Sequence, residues 1–217
     1  MYSFWQNIDK IIYINIDYRK DRNEHVLKEL SELGVPSEKI ERLEAVKHPK
    51  GYIGCSMSHI ECLKLAIERN YDSVLILEDD VIFKDKEYFK NISEKIFNQN
   101  FDVFMLGVNI EKYEYIDENF TRVINGLSLV GYIVKNHYFH KLLNSFETSL
   151  KLLLEKDIVT HYSVDGYLRY YVQPYDQWLT FSKLNVSQLP GYSDIEKREV
   201  NYDFAMLKTI YNNRIYK

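Results

Sequence analysis

The sequence is poor in the residues that mark secreted, fibrous or disordered proteins. Its 217 residues include only 2 Cys, 4 Pro and 8 Gly, while 46% are hydrophobic. This composition excludes collagen-like repeats and low-complexity linkers, and it is typical of a globular chain. Cys55 and Cys62 lie seven residues apart. On one helix they would be about 10 Å apart, too far for a disulfide, so we predict two free thiols.

An excess of basic residues and long apolar runs are also missing. The chain has 28 Lys and Arg against 32 Asp and Glu, whereas a protein that tracks nucleic-acid phosphates usually carries a basic excess. Apolar runs such as Val74–Leu77 are far shorter than the roughly 20 residues of a membrane span. The N-terminus has no basic-then-apolar signal pattern. We expect no nucleic-acid partner, no transmembrane segment and a cytoplasmic location.

The first half of the chain alternates buried strands with amphipathic helices. This alternation predicts an α/β fold with a mostly parallel central sheet and helices on both faces. In such sheets, ligands bind beyond the carboxyl ends of the strands. The predicted strands are Lys10–Ile16, Ile40–Val46, Ser73–Leu77 and Asp102–Leu106.

The second half gives weaker patterns. We predict an exposed loop over 111–120, and a hairpin around Asn125-Gly126, a dipeptide that favours tight turns. Further predicted elements are a loop at Lys47–Gly54, a helix starting at Ser56 or Ser58, helices over 138–156 and 165–171, and a strand at Trp178–Phe181. We expect residues 1–217 to form one domain. About 1–110 would bind a nucleotide, 111–195 would bind an acceptor, and 196–217 would be a tail or flap.

Three adjacent carboxylates, Glu78, Asp79 and Asp80, directly follow the third predicted strand. Like charges this close oppose one another's ionisation, and a bound divalent cation removes that conflict. In extended backbone, Glu78 and Asp80 project to the same side. They are therefore a candidate two-point oxygen site for Mn²⁺ or Mg²⁺. The alternative is a solvated turn in which one aspartate caps a local helix.

Three segments occur in the order Ile12–Arg22 (IYINIDYRKDR), Gly51–His59 (GYIGCSMSH) and Leu75–Val81 (LILEDDV). In order and spacing they resemble successive sequence blocks of glycosyltransferase family 25. This family includes bacterial lipooligosaccharide galactosyltransferases and the catalytic domains of procollagen galactosyltransferases. Two weaker blocks are Leu127–Leu143 and Val164–Leu168 with Ser193–Ile195. The resemblance covers roughly residues 10–195.

The resemblance implies a GT-A-type fold, a UDP-sugar donor of galactose or glucose, a divalent ion, and inversion at the anomeric carbon. The implied acceptor is a glycan, as in lipooligosaccharide synthesis, or hydroxylysine or galactosyl-hydroxylysine, as in collagen. Two alternatives stay open. One is a metal-dependent sugar-nucleotide hydrolase or nucleotidyltransferase, and the other is a catalytically silent nucleotide-binding scaffold.

Eight residues are candidates for donor binding. Side chains that end the first strand can bind the nucleoside, guanidinium groups match diphosphate oxygens, and a helix N-terminus favours an anion. The alternatives are an Asx turn, solvated arginines, ordinary turn chemistry and a structural histidine. The candidates are Asn15, Asp17, Arg19, Arg22, Gly54, Ser58, His59 and Asp79.

Direct displacement with inversion needs a general base for the acceptor hydroxyl, and a carboxylate suits that role. Asp165, at the start of a short predicted helix, is the first candidate, and Asp194 is the second. The alternative for Asp165 is a helix cap.

Overall fold

The computed structural model describes residues 3–210 as an α/β protein built around one large sheet. Short 3₁₀ turns lie at Ser3–Asn7, Ser37–Lys39 and Ile96–Asn98. The strands are β1 (Lys10–Asn15), β2 (Ile40–Glu44), β3 (Ser73–Glu78), β4 (Val81–Phe83), β5 (Val103–Met105), β6 (Asn109–Tyr115), β7 (Phe120–Leu127), β8 (Gly131–Lys135), β9 (Trp178–Phe181), β10 (Val186–Gln188), β11 (Gly191–Ser193) and β12 (Arg198–Val200). The helices are α1 (Lys20–Glu32), α2 (Gly51–Glu68), α3 (Lys86–Ser93), α4 (Asn136–Lys156), α5 (Val159–Tyr162), α6 (Val164–Tyr171) and α7 (Asp203–Met206).

Within residues 3–210, the central sheet has eight strands in the order β2-β1-β3-β8-β5-β9-β7-β6. β1 pairs in parallel with β2 and β3, and β5 pairs in parallel with β9. β7 and β8 run opposite to the other six strands. Since β8 lies between β3 and β5, the predicted nucleotide-binding and acceptor-binding parts share one sheet.

Alternate residues of β1 and β3 pack into separate hydrophobic cores on the two faces of the sheet. Ile11 and Leu75 contribute to the core that also holds α1 and α3, while Ile12 and Ile76 contribute to the core that holds α2, α4 and α6. Strands covered on both faces have continuous apolar sequences. This double burial explains why the first strands could be predicted from the sequence.

The predicted hairpin around Asn125-Gly126 is wrong. β7 runs without a break through both residues and pairs with β6 and β9. The predicted loop over 111–120 is wrong for its first half, because residues 111–115 belong to β6. The turn that joins β6 to β7 lies at residues 116–119. Gln173 overrides the turn preference: it accepts a hydrogen bond from Gly126 N and donates one to Gly126 O.

Part of the predicted tail or flap at 196–217 is folded. β12 pairs with β11 to form a two-stranded hairpin, and α7 follows it. Residues 211–217 of that segment lie outside the described range. Among the described residues, no helix combines the length and apolar character needed to cross a membrane.

Candidate functional site

A cleft of about 780 Å³ lies beyond the carboxyl ends of β1 and β3. Parallel pairing aligns Ile14 of β1 with Glu78 of β3, so the polar residues that follow both strands meet at one edge of the sheet. α1, α2 and α6 contribute further side chains to the cleft, and the β11–β12 hairpin borders it. The cleft therefore lies where α/β sheets usually bind ligands.

Ten of the twelve predicted site residues line this cleft. The other two, Asn15 and Asp17, lie outside its lining. The ten are Arg19, Arg22, Gly54, Ser58, His59, Glu78, Asp79, Asp80, Asp165 and Asp194.

Asn15 is a buried brace behind the cleft. Its side-chain amide donates to Asp79 Oδ2 at 2.7 Å and to the Arg19 carbonyl at 3.1 Å. Its Oδ1 accepts from Arg42 Nε at 2.9 Å. Asp17 instead forms an exposed ion pair with Lys47 at 2.8 Å. The side chains of Asn15 and Asp17 are therefore both bound to other residues of the protein.

Arg22 joins two carboxylates of the acidic cluster, which consists of Glu78, Asp79 and Asp80. Its Nη1 lies 3.2 Å from Asp79 Oδ1 and 3.1 Å from Asp80 Oδ2. Burial raises the pKa of Asp79, while hydrogen bonds from Asn15 and the charge of Arg22 act in the opposite direction. Burial and the charge of Glu78 raise the pKa of Asp80 to about 7, against the pull of Arg22.

The acidic cluster passes a structural test for a divalent cation. Asp80 Oδ1 is buried and has no hydrogen-bond partner among the described residues. The Glu78 carboxylate lies close enough to be the main charge opposing ionisation of Asp80. A cation would satisfy that oxygen and relieve the repulsion, and carboxylates are ligands that Mn²⁺ and Mg²⁺ prefer. The residues present therefore fit such an ion.

The raised pKa of Asp80 predicts that the free energy of unfolding depends on pH when a chelator keeps the protein free of divalent ions. A carboxyl whose pKa is higher in the folded state than its ordinary value near 4 stabilises the fold when protonated. This contribution is fully present below pH 4 and is lost as the pH rises through about 7. We expect Asp80→Asn to remove it. Urea unfolding between pH 4 and 8 should show the stability of the variant rising relative to wild type. A constant difference would contradict the assignment.

The predicted start of α2 is wrong, and the correction changes the roles of three residues. α2 begins at Gly51, so Ser58 and His59 lie well inside it and not at an anion-binding N-terminus. Ser58 Oγ accepts from Val46 N at 2.9 Å and donates to the Gly54 carbonyl at 2.7 Å. A Cβ at Gly54 would lie 2.4 Å from the Val46 carbonyl. Gly54 and Ser58 therefore fasten the preceding loop to α2.

The β11–β12 hairpin is fastened to α1 by two arginines. Arg19 Nη1 lies 2.6 Å from Asp194 Oδ2, and Arg22 Nη2 donates to the Tyr192 carbonyl at 2.9 Å. The Tyr18 hydroxyl also donates to Asp194 Oδ1, at 3.2 Å. Both oxygens of Asp194 are therefore engaged in holding the hairpin beside the cleft.

Asp165 lies at the start of α6, where Ser163 is the N-cap. Asp165 Oδ1 accepts from Ser163 Oγ at 2.8 Å and Gly166 N at 2.9 Å, and Oδ2 accepts from Ser128 N at 3.1 Å. A carboxylate has roughly four acceptor positions, so three bonds leave one of them available. The carboxylate is held in place at the cleft and can still accept a proton.

Three cleft residues were missed by the sequence analysis as contributors to the site. Gln188 donates to Glu78 Oε2 at 3.1 Å, Cys55 Sγ lies 3.9 Å from Glu78 Oε1, and Ser128 N holds Asp165. Gln188 comes from a three-residue strand with no distinctive pattern, and Ser128 acts through its backbone. Neither residue gives a signal in a single sequence. Cys55 and Cys62 are both free, as predicted.

Sequence comparison finds one matching family and one informative relative. Residues 44–168 match the family described as "Glycosyltransferase family 25 (LPS biosynthesis protein)". The chain is 25% identical over 197 residues to a "Glycosyltransferase 25 family member" of Drosophila melanogaster. That match covers 75% of this chain but only 30% of the relative. The chain thus spans less than a third of the length of that protein.

Structural comparison identifies the same general architecture in a solved enzyme. The structure described as "a glycosyltransferase involved in the glycosylation of the major capsid of PBCV-1" has a TM-score of 0.57 with this chain at 12% identity. The match covers 87% of this chain and 95% of the solved one. At this identity the likeness establishes the fold alone. It confirms the predicted α/β architecture of GT-A type.

Proposed function

Because this chain belongs to glycosyltransferase family 25, we propose that it transfers a hexose, galactose or glucose, from a UDP-sugar to an acceptor hydroxyl. One observation carries the proposal: residues from separate family-like blocks line the same cleft beyond β1 and β3. The cleft combines carboxylates, arginines and apolar walls such as Ile14 and Leu129. That combination suits a ligand with a base, a sugar and a diphosphate.

Glu78 and Asp80 are the residues we propose to hold a divalent ion, Mn²⁺ or Mg²⁺. When bound, such an ion supplies positive charge that neutralises the departing diphosphate. Arg22 holds Asp80 on one side, and Gln188 holds Glu78 on the other. These contacts fix both carboxylates before substrate arrives, which lowers the reorganisation that binding requires.

Arg19 and Arg22 are proposed contacts for the donor diphosphate. Both line the cleft, and a guanidinium group can face two phosphate oxygens at once. Besides carboxylates outside the hairpin, Arg19 contacts Asp194 and Arg22 contacts the Tyr192 carbonyl, both in the β11–β12 hairpin. A bound diphosphate would compete with those contacts, so donor binding and the position of the hairpin would be linked.

Asp165 is the residue we propose as general base. Its carboxylate accepts the proton of the acceptor hydroxyl as the acceptor oxygen forms a bond to the anomeric carbon. The bond between that carbon and the diphosphate oxygen breaks, and UDP leaves with the electron pair. Attack opposite the leaving group inverts the anomeric carbon. Ser163, Gly166 and Ser128 hold the carboxylate during this step.

Asp194, the second candidate base, should be much less important for turnover. Its ion pair with Arg19 is partly exposed, and such pairs contribute about 1 kcal/mol or less. We therefore expect Asp194→Asn to lower kcat by less than about tenfold. Steady-state kinetics beside Asp165→Asn tests this order. If Asp194→Asn lowers kcat more than Asp165→Asn does, Asp194 is the general base and Asp165 is not.

The direct test is a donor and acceptor panel with Mn²⁺. UDP-galactose and UDP-glucose would be offered with a lipooligosaccharide-type glycan, a hydroxylysine peptide and a galactosyl-hydroxylysine peptide. Nucleotide release and glycosylated product would be measured together. Product that depends on one donor and one acceptor supports transfer. Nucleotide release that is equal with and without every acceptor contradicts transfer and indicates a hydrolase.

A further inference from the structure

A second group of ligand-type atoms lies on the other side of Glu78 from Gln188. Cys55, His59 and Glu78 each offer one ligand-type atom, and these three atoms lie within 4.8 Å of one another. The sulfur is 3.9 Å and the imidazole nitrogen 3.6 Å from the glutamate oxygen. Cys55 and His59 are four residues apart on α2, so they occupy one helix face, directed at the end of β3. One sulfur, one nitrogen and one oxygen thus converge at the wall of the cleft.

His59 is the least explained member of this group. Its ring is fully buried, between Tyr132 and Phe146. Nε2 has no hydrogen-bond partner among residues 3–210, and its separation from Glu78 exceeds hydrogen-bond reach. Nδ1 lies 3.1 Å from the Tyr132 hydroxyl. Histidines that bind metals typically have one nitrogen fixed by a hydrogen bond and the other aimed at the ion.

We propose that Cys55, His59 and Glu78 form a binding site for a thiophilic divalent cation of the Zn²⁺ class. Ligand atoms on one tetrahedral zinc ion are about 3.3–3.6 Å apart, given bond lengths of about 2.0–2.3 Å. The two distances to Glu78 Oε1, 3.6 and 3.9 Å, lie at or slightly above that spacing, and all three ligand atoms lie within 4.8 Å of one another. Binding converts the Cys55 thiol to a thiolate and releases its proton to solvent. The fourth position is open to the cleft, where Cys55 and His59 both contribute to the lining.

The donor set selects a different ion from the carboxylate pair Glu78 and Asp80. Thiolate and imidazole favour zinc-like ions, whereas carboxylates alone favour Mn²⁺ and Mg²⁺. Glu78 belongs to both sets. If the proposed function is correct, an ion held by Cys55 and His59 takes one ligand away from the Mn²⁺ site. Zinc would then inhibit transfer, and the inhibition would weaken as Mn²⁺ is raised.

Co²⁺ is a suitable probe because a thiolate ligand gives it a near-ultraviolet charge-transfer absorption. We expect wild type to develop this band with one Co²⁺ per chain. Cys55→Ala should lose the band, while Cys62→Ala should keep it, since Cys62 is a buried free thiol on the same helix. His59→Gln should weaken Co²⁺ binding at least about tenfold. Added Zn²⁺ should bleach the wild-type band.

The proposal is overturned if folded wild type gives no band, or if the band survives Cys55→Ala or disappears in Cys62→Ala. Circular dichroism shows whether each variant is folded. If Cys55→Ala does not fold, Cys55→Ser replaces it. The band needs neither donor nor acceptor, so it is independent of transferase activity. A Co²⁺ band without any transfer would support this metal site and contradict the proposed function. Transfer without a Co²⁺ band would support the proposed function and contradict this metal site.

Discussion

Replacing Asp80 with asparagine is expected to lower kcat/KM for hexosyl transfer by about 10³-fold or more while the protein stays folded. Asp80 is one of the two carboxylates that we propose hold the divalent ion, and it lies against Glu78 with one buried oxygen unpaired among the described residues. Metal stabilisation of transition-state charge is worth several kcal/mol, and about 4 kcal/mol corresponds to about 10³-fold. The amide keeps the size of the side chain and removes its charge.

Glu118→Gln is a matched control for this experiment. Glu118 is an exposed carboxylate in the β6–β7 turn and does not line the cleft. It should leave kcat/KM unchanged. Thermal unfolding of both variants in chelator shows whether a loss of activity is a loss of fold. Transfer by Asp80→Asn at the wild-type rate would remove Asp80 from the metal site.

Replacing Asp165 with asparagine is expected to lower kcat by about 10²–10⁴-fold, the range that general-base catalysis contributes. The carboxylate is held by Ser163 Oγ, Gly166 N and Ser128 N, so it is positioned, and it forms no ion pair with any residue of the range 3–210. Asparagine fills the same space without a basic oxygen. Because Asp165 is proposed to act on the acceptor, donor affinity should change much less than kcat.

Asp157→Asn provides the comparison for Asp165→Asn. Asp157 is an exposed carboxylate that ends α4 in left-handed backbone, which asparagine adopts readily, and it does not line the cleft. Its kcat should stay near that of wild type. UDP binding measured by calorimetry then separates the roles of Asp165. A collapse of UDP affinity with little change in kcat would make Asp165 a donor-binding residue instead of a base.

Sequence reasoning succeeded where burial is encoded locally. β1 and β3 lie between two cores, so both strands have continuous apolar sequences. Those sequences predicted the strands, and they predicted that the polar residues after them lie at the carboxyl ends of the strands. Parallel pairing then brings Ile14 beside Glu78. The position of the acidic residues at the carboxyl edge of the sheet could therefore be predicted from the sequence.

Sequence reasoning failed where distant contacts override local preference. Asn125-Gly126 favours a tight turn, yet Gln173, 47 residues away, bonds to both backbone groups of Gly126 within the continuous strand β7. Gly51 and Gly54 suggested a loop, but Gly54 lies inside α2, where only a small residue permits close approach to Val46. Such effects depend on the tertiary fold, which no local pattern reports.

The β11–β12 hairpin beside the cleft was the feature that was hardest to predict from the sequence. Its sequence is polar and resembles a tail, and its attachment depends on Arg19 and Arg22 reaching Asp194 and the Tyr192 carbonyl. The Arg19–Asp194 ion pair joins residues 175 apart in the sequence, and the hydrogen bond from Arg22 to the Tyr192 carbonyl joins residues 170 apart. The sequence indicated both arginines as candidates for donor binding, but it did not indicate that they bind Asp194 and the Tyr192 carbonyl.

A thermal-shift titration with UDP, with Mn²⁺ and with both together tests the central claim most directly. A ligand that binds only the folded state raises apparent stability. The account predicts a large rise in melting temperature that needs UDP and Mn²⁺ together in wild type and is lost in Asp80→Asn. An equal rise with UDP in the presence of chelator, or no rise with either ligand, would contradict a metal-dependent donor site at Glu78 and Asp80.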